Sequence, residues 1–220
     1  MIREIRNLLS QEQVQRVNAL LEQAAFVDGV STAGMAARRV KNNLQTKAAQ
    51  PELDEARELF TTAVLQNQEF RDFALPMHVA TPIFSRYDVG MHYGEHIDNA
   101  KMGGIRTDLA MTLFLSPPES YDGGELVMEV DRLPRAIKLA AGSAVLYSAA
   151  SLHRVNTVSR GRRQAAVTWV QSMFRDASKR EIIIDLNIAL NRLRASAPEA
   201  LETLLAAKVR SNLHRMWADT

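Results

Sequence analysis

The chain contains no cysteine, so no disulfide holds the fold and no thiolate can serve a metal site. It carries little net charge, +2 over 220 residues. Its arginines are scattered along the chain, which is the pattern of a solvated surface and not of a nucleic-acid face. It lacks a long apolar run. The opening Met1-Ile-Arg-Glu-Ile-Arg6 is broken by charge at once, so neither a signal peptide nor a membrane span is expected, and the expected location is cytoplasmic. What remains is an ordinary globular composition, 46% hydrophobic and 24% charged, at a length that can bury a full core.

The richest stretch runs from Tyr87 to Asp98. His96 and Asp98 are two residues apart, so on an extended strand both side chains point to one face. A neutral imidazole and a carboxylate together supply two of the three ligands of a 2-His-1-carboxylate facial triad, the usual site for non-haem Fe(II). His153, in Ser151-Leu-His-Arg-Val155, can supply the third, and Arg163 follows ten residues later at the head of a strand-like run. A solitary His-x-Asp reads as a surface histidine and a turn aspartate. The order His-x-Asp, distal His, then Arg is far more specific. Gly90 and Gly94 permit an unusual path into such a site. Three ligands on one octahedral face leave three positions open, which suits oxygen activation better than a closed structural site.

Around this stretch the pattern changes twice. Ser10-Gln-Glu-Gln13 reads as a capping box, followed by a helical stripe of Val14, Val17, Leu20, Leu21 and Ala24. Phe26 to Val30 reads as a short strand or turn, and Ala36 to Asn43 as a strand. Pro51 opens a second helix whose buried face is Leu53, Ala56, Leu59, Phe60, Ala63 and Val64. Residues 10–70 are expected to be support without chemistry. From about residue 80 the period becomes strand-like: 82–87, 108–115, 124–130, 136–140, 144–147 and 163–174 alternate with Gly and Pro turn signals. Several short strands so punctuated predict a double-sheet jelly roll with a mouth where inward side chains meet a metal and a small cosubstrate. After Phe174 helices return. Ser178-Lys-Arg-Glu181 reads as a capping box before Ile182, Leu186, Ala189, Leu190 and Leu193. Ser196-Ala-Pro-Glu199 opens a helix carrying Leu201, Leu204, Leu205, Val209 and Leu213 toward Trp217.

Beyond the ligand spacing, the phrases Val40-Lys-Asn-Asn43, Arg106-Thr-Asp-Leu-Ala-Met-Thr-Leu-Phe-Leu-Ser116, Ser120-Tyr-Asp-Gly-Gly-Glu-Leu126, Arg160-Gly-Arg-Arg163 and Trp169-Val-Gln-Ser172 resemble the bacterial PKHD-type hydroxylases. These are Fe(II)/2-oxoglutarate dioxygenases related to prolyl and lysyl hydroxylases. The resemblance implies an α+β protein: a double-stranded β-helix core with N-terminal support helices and a C-terminal helical hairpin. The expected division is a support region at 1–77, the dioxygenase domain at 78–177 and a helical module at 178–220. It also implies Fe(II) held by His96, Asp98 and His153, with 2-oxoglutarate chelating the metal and Arg163 anchoring its far carboxylate. The products would be succinate, CO2 and a hydroxylated substrate, and L-ascorbate would be expected to rescue uncoupled enzyme.

Arg163 supports that role on its own terms. It shares an inward strand face with Ala165, Val167, Trp169 and Gln171, and an arginine inside a barrel needs an anionic partner that its planar fork can grip. Arg162 then points outward as surface charge. Many relatives carry a serine two residues after this arginine, where the present chain has Ala165. By resemblance to the prolyl hydroxylases, Tyr87 is the candidate for the missing hydroxyl, against a reading as plain strand packing. Tyr93 and His92 border the site or face solvent. His78 and His214 have no assigned role, and Asp122-Gly-Gly-Glu125 reads as a turn into a strand.

Two rivals stand beside the enzyme. One is a non-catalytic jelly roll that binds iron or a small ligand, which would not need both triad and arginine. The other is a zinc hydrolase on the same ligands, for which no general base is evident and Arg163 has no use. The expected partners are O2 and a small-molecule or peptidyl substrate, without nucleic acid or membrane. The family name suggests peptidyl proline or lysine; a small molecule of iron uptake is the alternative. The C-terminal stripes leave open packing on the barrel or homo-oligomer formation.

Overall fold

Leu109–Phe114 is six consecutive buried residues, and a strand apolar on both sides must lie between two covered layers. In the computed structural model, which describes residues 2–32, 37–47, 50–130 and 133–219, it does. It sits near the middle of an eight-stranded antiparallel sheet in the order Ile2–Ile5, Ala144–Ser148, Leu109–Phe114, Arg163–Ser172, Ile83–Tyr87, Leu44–Thr46 and Phe26–Asp28, with Pro76–Val79 on the far end of Arg163–Ser172. Leu109, Met111 and Leu113 point outward into a core shared with the helices; Ala110 and Phe114 point inward. Facing that inner side is a five-stranded sheet in the order Leu133–Ile137, Leu126–Val130, His153–Val155, His92–His96 and Lys41–Asn42. Two antiparallel sheets enclosing an inner core make the expected jelly roll.

Helices cover the outer face. Helix α1 (Gln11–Gln23) has the anticipated capping box, Ser10 accepting from the Gln13 N–H and the Gln13 side chain from that of Ser10. It buries Val14, Val17 and Leu21. Pro51–Leu53 is a 3-10 turn leading into α2 (Asp54–Gln66), which buries Ala56, Phe60 and Val64. A short α3 (Gln68–Ala74) was not anticipated. Asn67 caps it, and Leu75 ends it in the left-handed region at φ 43°. Helix α4 (Ala177–Ser196) adds Ile183 and Ile184 to the same outer core. Helix α5 (Leu201–Trp217) reaches it through Leu213 and Trp217. Among the described residues, no helix is long and apolar enough to cross a membrane.

Several expectations need correction. The strand expected at 136–140 is Leu133–Ile137, since Pro134 lies within an exposed edge strand, where no ladder N–H is demanded of it. The strand expected to start at Gly124 starts at Leu126, because Gly123 and Gly124 are both left-handed. The strand from Arg163 ends at Ser172, where a register shift breaks the pairing and the Ser172 N–H turns to the Asp108 carboxylate. Of the strand expected at 36–43, Ala36 lies outside the described residues, Ala37–Arg39 is a 3-10 turn, and only Lys41–Asn42 pairs. At α4 the cap is Asp176, not Ser178, because its carboxylate accepts from both the Ser178 and Lys179 N–H groups. Its buried side is Arg180, Ile183, Ile184 and Leu190, whereas Ile182 and Ala189 are exposed. Ser196 is the last residue of α4 and caps nothing; α5 starts after Ala200. Leu201, Leu204, Leu205 and Val209 face outward.

Candidate metal centre

The strand His92–His96 is held on both sides. Lys41–Asn42 pairs with one edge, with Lys41 opposite Tyr93, and His153–Val155 with the other, with His153 directly opposite His96. Gly94 allows the close approach on the first side: its N–H donates to Val40 O at 2.8 Å, and a Cβ there would lie 2.7 Å from the Val40 Cβ. Cross-strand pairing brings the two imidazoles together, ring centroids 4.2 Å apart. Asp98 lies just past the strand end on the face of His96, anchored by its N–H to Ala149 O. One donor atom from each of His96, Asp98 and His153 lies within 4.8 Å of the others.

The backbone decides which ring nitrogen is available. His96 Nδ1 lies 2.8 Å from Gly94 O and His153 Nδ1 lies 2.9 Å from Ser151 O. A carbonyl can only accept, so both Nδ1 atoms carry the proton and both Nε2 atoms present lone pairs. His153 Nε2 faces Asp98 Oδ1 at 3.9 Å. Burial pushes the His96 pKa down to about 3, with His153 and Lys41 adding to the effect, so His96 is a neutral ligand across the physiological range. Burial raises the Asp98 pKa, against the pull of His153, Trp169 and Lys41. The donor set of two imidazoles, each with Nδ1 tied to a carbonyl and Nε2 left for a ligand, and one buried carboxylate with an oxygen lacking a partner fits a divalent cation.

Arg163 lies deeper, among the largest fully buried side chains at 2% exposure. Its guanidinium is flanked by the rings of Tyr87 (5.1 Å) and Phe114 (5.4 Å). Among the described residues no carboxylate lies within ion-pair distance, and its Nε has no acceptor. A buried cation so placed is costly unless something anionic joins it. Tyr87 is its direct cross-strand partner. Buried Tyr121 directs its own unpaired hydroxyl toward it, and a Cβ on Gly124 would come within 3.0 Å of Arg163 Cδ and 3.1 Å of the Tyr121 ring. Orphaned donors around an unpaired guanidinium fit a carboxylate-bearing cosubstrate. The neighbouring Arg162 is exposed and pairs with Asp88 and Glu22, and Arg160 pairs with Asp122.

Tyr93 and Tyr147 line the space between these two groups. Tyr93 stacks on His96, centroids 3.5 Å apart, and Tyr147 meets His153 edge-on. Burial raises the pKa of Tyr87, Tyr93 and Tyr147, which keeps their hydroxyls neutral donors. His92 is only half-buried; His78 is exposed; His214 packs edge-on against Phe174 on the helical side. Asp122-Gly-Gly-Glu125 is the turn it was expected to be, with Glu125 accepting from Asn156.

The sequence reading missed what residues 41–45 contribute. Lys41 is buried over the Tyr93 ring and donates to Gln45, whose amide donates to Ser85 Oγ. Burial lowers the Lys41 pKa to about 8. Asn43 is buried beside Tyr87, with both side-chain polar atoms unpaired by hydrogen-bond geometry. Ser85 stands directly opposite Ala165 and offers a second hydroxyl. The available signal was Val40-Lys-Asn-Asn43, a polar run in a short strand. A cleft of about 460 Å³ is walled by Val27, Ala80, Pro82, Ile83, Met102 and Trp169, with Lys47 and Arg57 also on its lining, and Trp169, whose indole acts on Asp98, links it to the centre.

Comparison with known proteins agrees in kind. Residues 82–171 match the family model of the 2OG-Fe(II) oxygenase superfamily. The chain is 43% identical over 216 residues to a PKHD-type hydroxylase of Picosynechococcus sp., covering 98% of this chain and 99% of that one. It is also 43% identical to a PKHD-type hydroxylase of Maricaulis maris, covering both chains completely. Among solved structures, a Pseudomonas putida prolyl-4-hydroxylase superposes with a TM-score of 0.55 at 18% identity, over 78% of this chain and 92% of that one. A Trichoplax adhaerens prolyl hydroxylase in complex with a hypoxia inducible factor peptide fragment superposes with a TM-score of 0.59 at 16% identity, over 77% and 82%.

Proposed function

The chain belongs to the PKHD-type hydroxylases of the 2OG-Fe(II) oxygenase superfamily and is a 2-oxoglutarate-dependent dioxygenase that uses Fe(II); from that premise we propose that His96, Asp98 and His153 hold the ferrous ion, that Arg163 and Tyr87 hold the far carboxylate of 2-oxoglutarate, and that the enzyme hydroxylates an unactivated C–H bond of a substrate seated in the cleft beside Trp169. Residues 78–177 carry this chemistry, 1–77 support it with Lys41–Gln45 as an inner wall, and 178–220 form an accessory helical module. The observation that carries the reading is Arg163: a guanidinium 2% exposed, with no carboxylate of the described chain near it, beside a cluster of two imidazoles and a carboxylate. The structural arginine Arg180, equally buried, has the Phe174 carbonyl as an acceptor with Asp108 and Asp176 nearby, and a non-catalytic iron binder has no use for a buried Arg163.

When bound, iron and 2-oxoglutarate supply the oxidative chemistry: activation of O2 and decarboxylation of the keto acid to succinate and CO2, coupled to hydroxylation. The chain supplies geometry. Gly94 O and Ser151 O fix both imidazole tautomers, so two lone pairs converge without reorganisation. The Asp98 carboxylate, disfavoured as a bare buried anion, regains stability when it neutralises a cation. Arg163 orients the cosubstrate, while the Tyr87 phenol, kept neutral by burial, can donate to the same carboxylate. Phe114, Tyr147 and Val145 exclude water from the interior.

The cleft walls are mainly apolar, which suits a prolyl ring, a lysyl stem or the aliphatic part of an iron-uptake small molecule. Protein loaded with Fe(II) is expected to convert 2-oxoglutarate to succinate under O2. Ascorbate should sustain the turnover and Zn(II) should abolish it. Candidate peptides and small molecules are then scored by mass for the gain of one oxygen atom. Absence of succinate from folded, iron-loaded protein would overturn the reading, and hydrolysis supported by Zn(II) would replace it with the zinc hydrolase.

A further inference from the structure

Two buried polar atoms near the triad lack a full partner, and the backbone brings their residues together: the Asp98 N–H donates to Ala149 O, the Ala149 N–H to Asp108 O and the Asp108 N–H to Val170 O, next to Trp169. Asp98 presents Oδ1 toward His153 Nε2 at 3.9 Å, while its other oxygen, Oδ2, is shielded from solvent and finds no hydrogen-bond donor in good geometry. The Trp169 indole N–H is equally shielded and equally without an acceptor. The indole is close enough to act on the Asp98 carboxyl as a donor. Leaving either atom unsatisfied in the interior carries a desolvation penalty, so a small adjustment that completes the bond is favoured.

The strand explains how Trp169 comes to be there. Trp169 lies six residues after Arg163 and on the same inward face of Arg163–Ser172, in the inner core with Tyr87 and Phe114. Its partner in the ladder is Ala110, whose small side chain leaves room for an indole. The backbone at this point is also fixed: Trp169 O accepts from the Ala80 N–H, and the Thr168 hydroxyl donates to Ala80 O. Trp169 thus acts on Asp98 through its indole N–H and also lines the cleft walled by Ala80, Pro82, Ile83 and Met102.

We infer that Trp169 is a positioning residue for the metal: its indole N–H holds Asp98 Oδ2, so that only Oδ1 is offered to the cation, and its ring ties that ligand to the wall of the substrate cleft. A carboxylate gripped at one oxygen binds through the other, which keeps an additional coordination position open. A carboxylate free at both can swing to chelate and close it. This rests on the proposed triad and goes beyond it.

The test compares Trp169→Phe, which keeps a ring in the cleft and removes the donor, with Trp169→His, which keeps a ring N–H. Anaerobic calorimetry measures Fe(II) affinity, absorption of the Co(II)-loaded protein reports coordination, and thermal melting checks folding. Loss of such an orienting contact typically weakens metal binding about 10- to 100-fold. That loss is expected for Trp169→Phe, together with a changed Co(II) spectrum and substantial recovery in Trp169→His. A folded Trp169→Phe that binds Fe(II) with wild-type affinity and gives the wild-type Co(II) spectrum would overturn the inference, as would lowered melting alone. In either case a wild type that binds metal leaves the triad intact. A wild type that binds no metal would overturn the triad and this inference together.

Discussion

The two faces of the eight-stranded sheet have diverged in purpose. On the outer face, Leu109, Met111, Leu113, Ala166 and Val170 meet Phe60, Phe70 and Ile183 from the helices. On that side the unpaired buried atoms are scattered, Asn18 Oδ1, Arg180 Nε and His214 Nε2, and their side chains are otherwise held: Asn18 donates to Leu115 O, Arg180 to Phe174 O, and the Ser172 hydroxyl to Leu75 O. On the inner face, Asp98 Oδ2, Trp169 Nε1, Arg163 Nε, the Tyr121 hydroxyl and the Asn43 amide are all buried and unsatisfied. One strand, Arg163–Ser172, serves both, with Ala166 and Val170 outward and Arg163 and Trp169 inward. The lesson is thermodynamic. Unpaired buried polar groups oppose folding, so the outer face must supply the stability that lets the inner face hold its charged and polar groups in place for ligands.

Mutations should therefore separate by face. The largest effect is expected from Phe60→Ala on the outer side, where a fully buried ring is lost at a cost of about 3–5 kcal/mol. Urea unfolding measures that loss, and any folded fraction should bind Fe(II) and 2-oxoglutarate as the wild type does. Arg163→Met should invert this pattern. The affinity for 2-oxoglutarate is expected to fall by about 2–4 kcal/mol, since one partner of a buried charge pair is removed. The ligand-free protein should be no less stable, because a buried unpaired charge is replaced by an apolar side chain. A large loss of ligand-free stability would break the comparison.

Lys41→Met sharpens it further. Burial lowers the Lys41 pKa from 10.5 to about 8, so between those values the unfolded chain holds a proton that the folded protein has released. Wild-type stability therefore rises with pH across that window, and below pH 8 the fold carries the cost of the buried ammonium. The variant is expected to be more stable than the wild type by about 2 kcal/mol at pH 7. The difference should shrink as pH rises through 8 toward 10.5, as read from denaturant midpoints. The smallest effect belongs to Arg162→Ala, one residue from Arg163 but exposed and paired on the surface. It should change stability by less than about 1 kcal/mol and leave ligand binding untouched.

The same asymmetry explains what could be read from the chain. The clustering of His96, Asp98 and His153 and the burial of Arg163 were legible because metal and carboxylate chemistry demand particular residue types in a fixed order, and Val14, Val17, Phe60 and Val64 because a helix against a sheet needs a regular stripe. Lys41, Gln45, Ser85 and Tyr121 were not legible. Their importance comes from long-range pairing, such as Gln45 with Ser85 and Lys41 with Tyr93, and nothing local distinguishes a buried lysine on a two-residue strand from a surface one. The α4 cap failed for a similar reason: Ser178 and Asp176 are both good caps, and only the backbone path out of Phe174 chose the aspartate. Leu201, Leu204, Leu205, Val209 and Leu213 have helical spacing, but spacing does not say that of these only Leu213, with Trp217 near the end of α5, would make the contact with the core.

The most direct test of the central claim, that the inner face is an iron and 2-oxoglutarate site held ready by the outer one, is an anaerobic titration. Fe(II) and then 2-oxoglutarate are added to wild type, His153→Ala and Arg163→Met, and the visible charge-transfer band of a keto acid chelated to ferrous iron is followed. The wild type should develop the band and saturate. His153→Ala should show none, and Arg163→Met should need far more 2-oxoglutarate to reach the same intensity. A folded wild type without the band, or an Arg163→Met variant that titrates like the wild type, would contradict it.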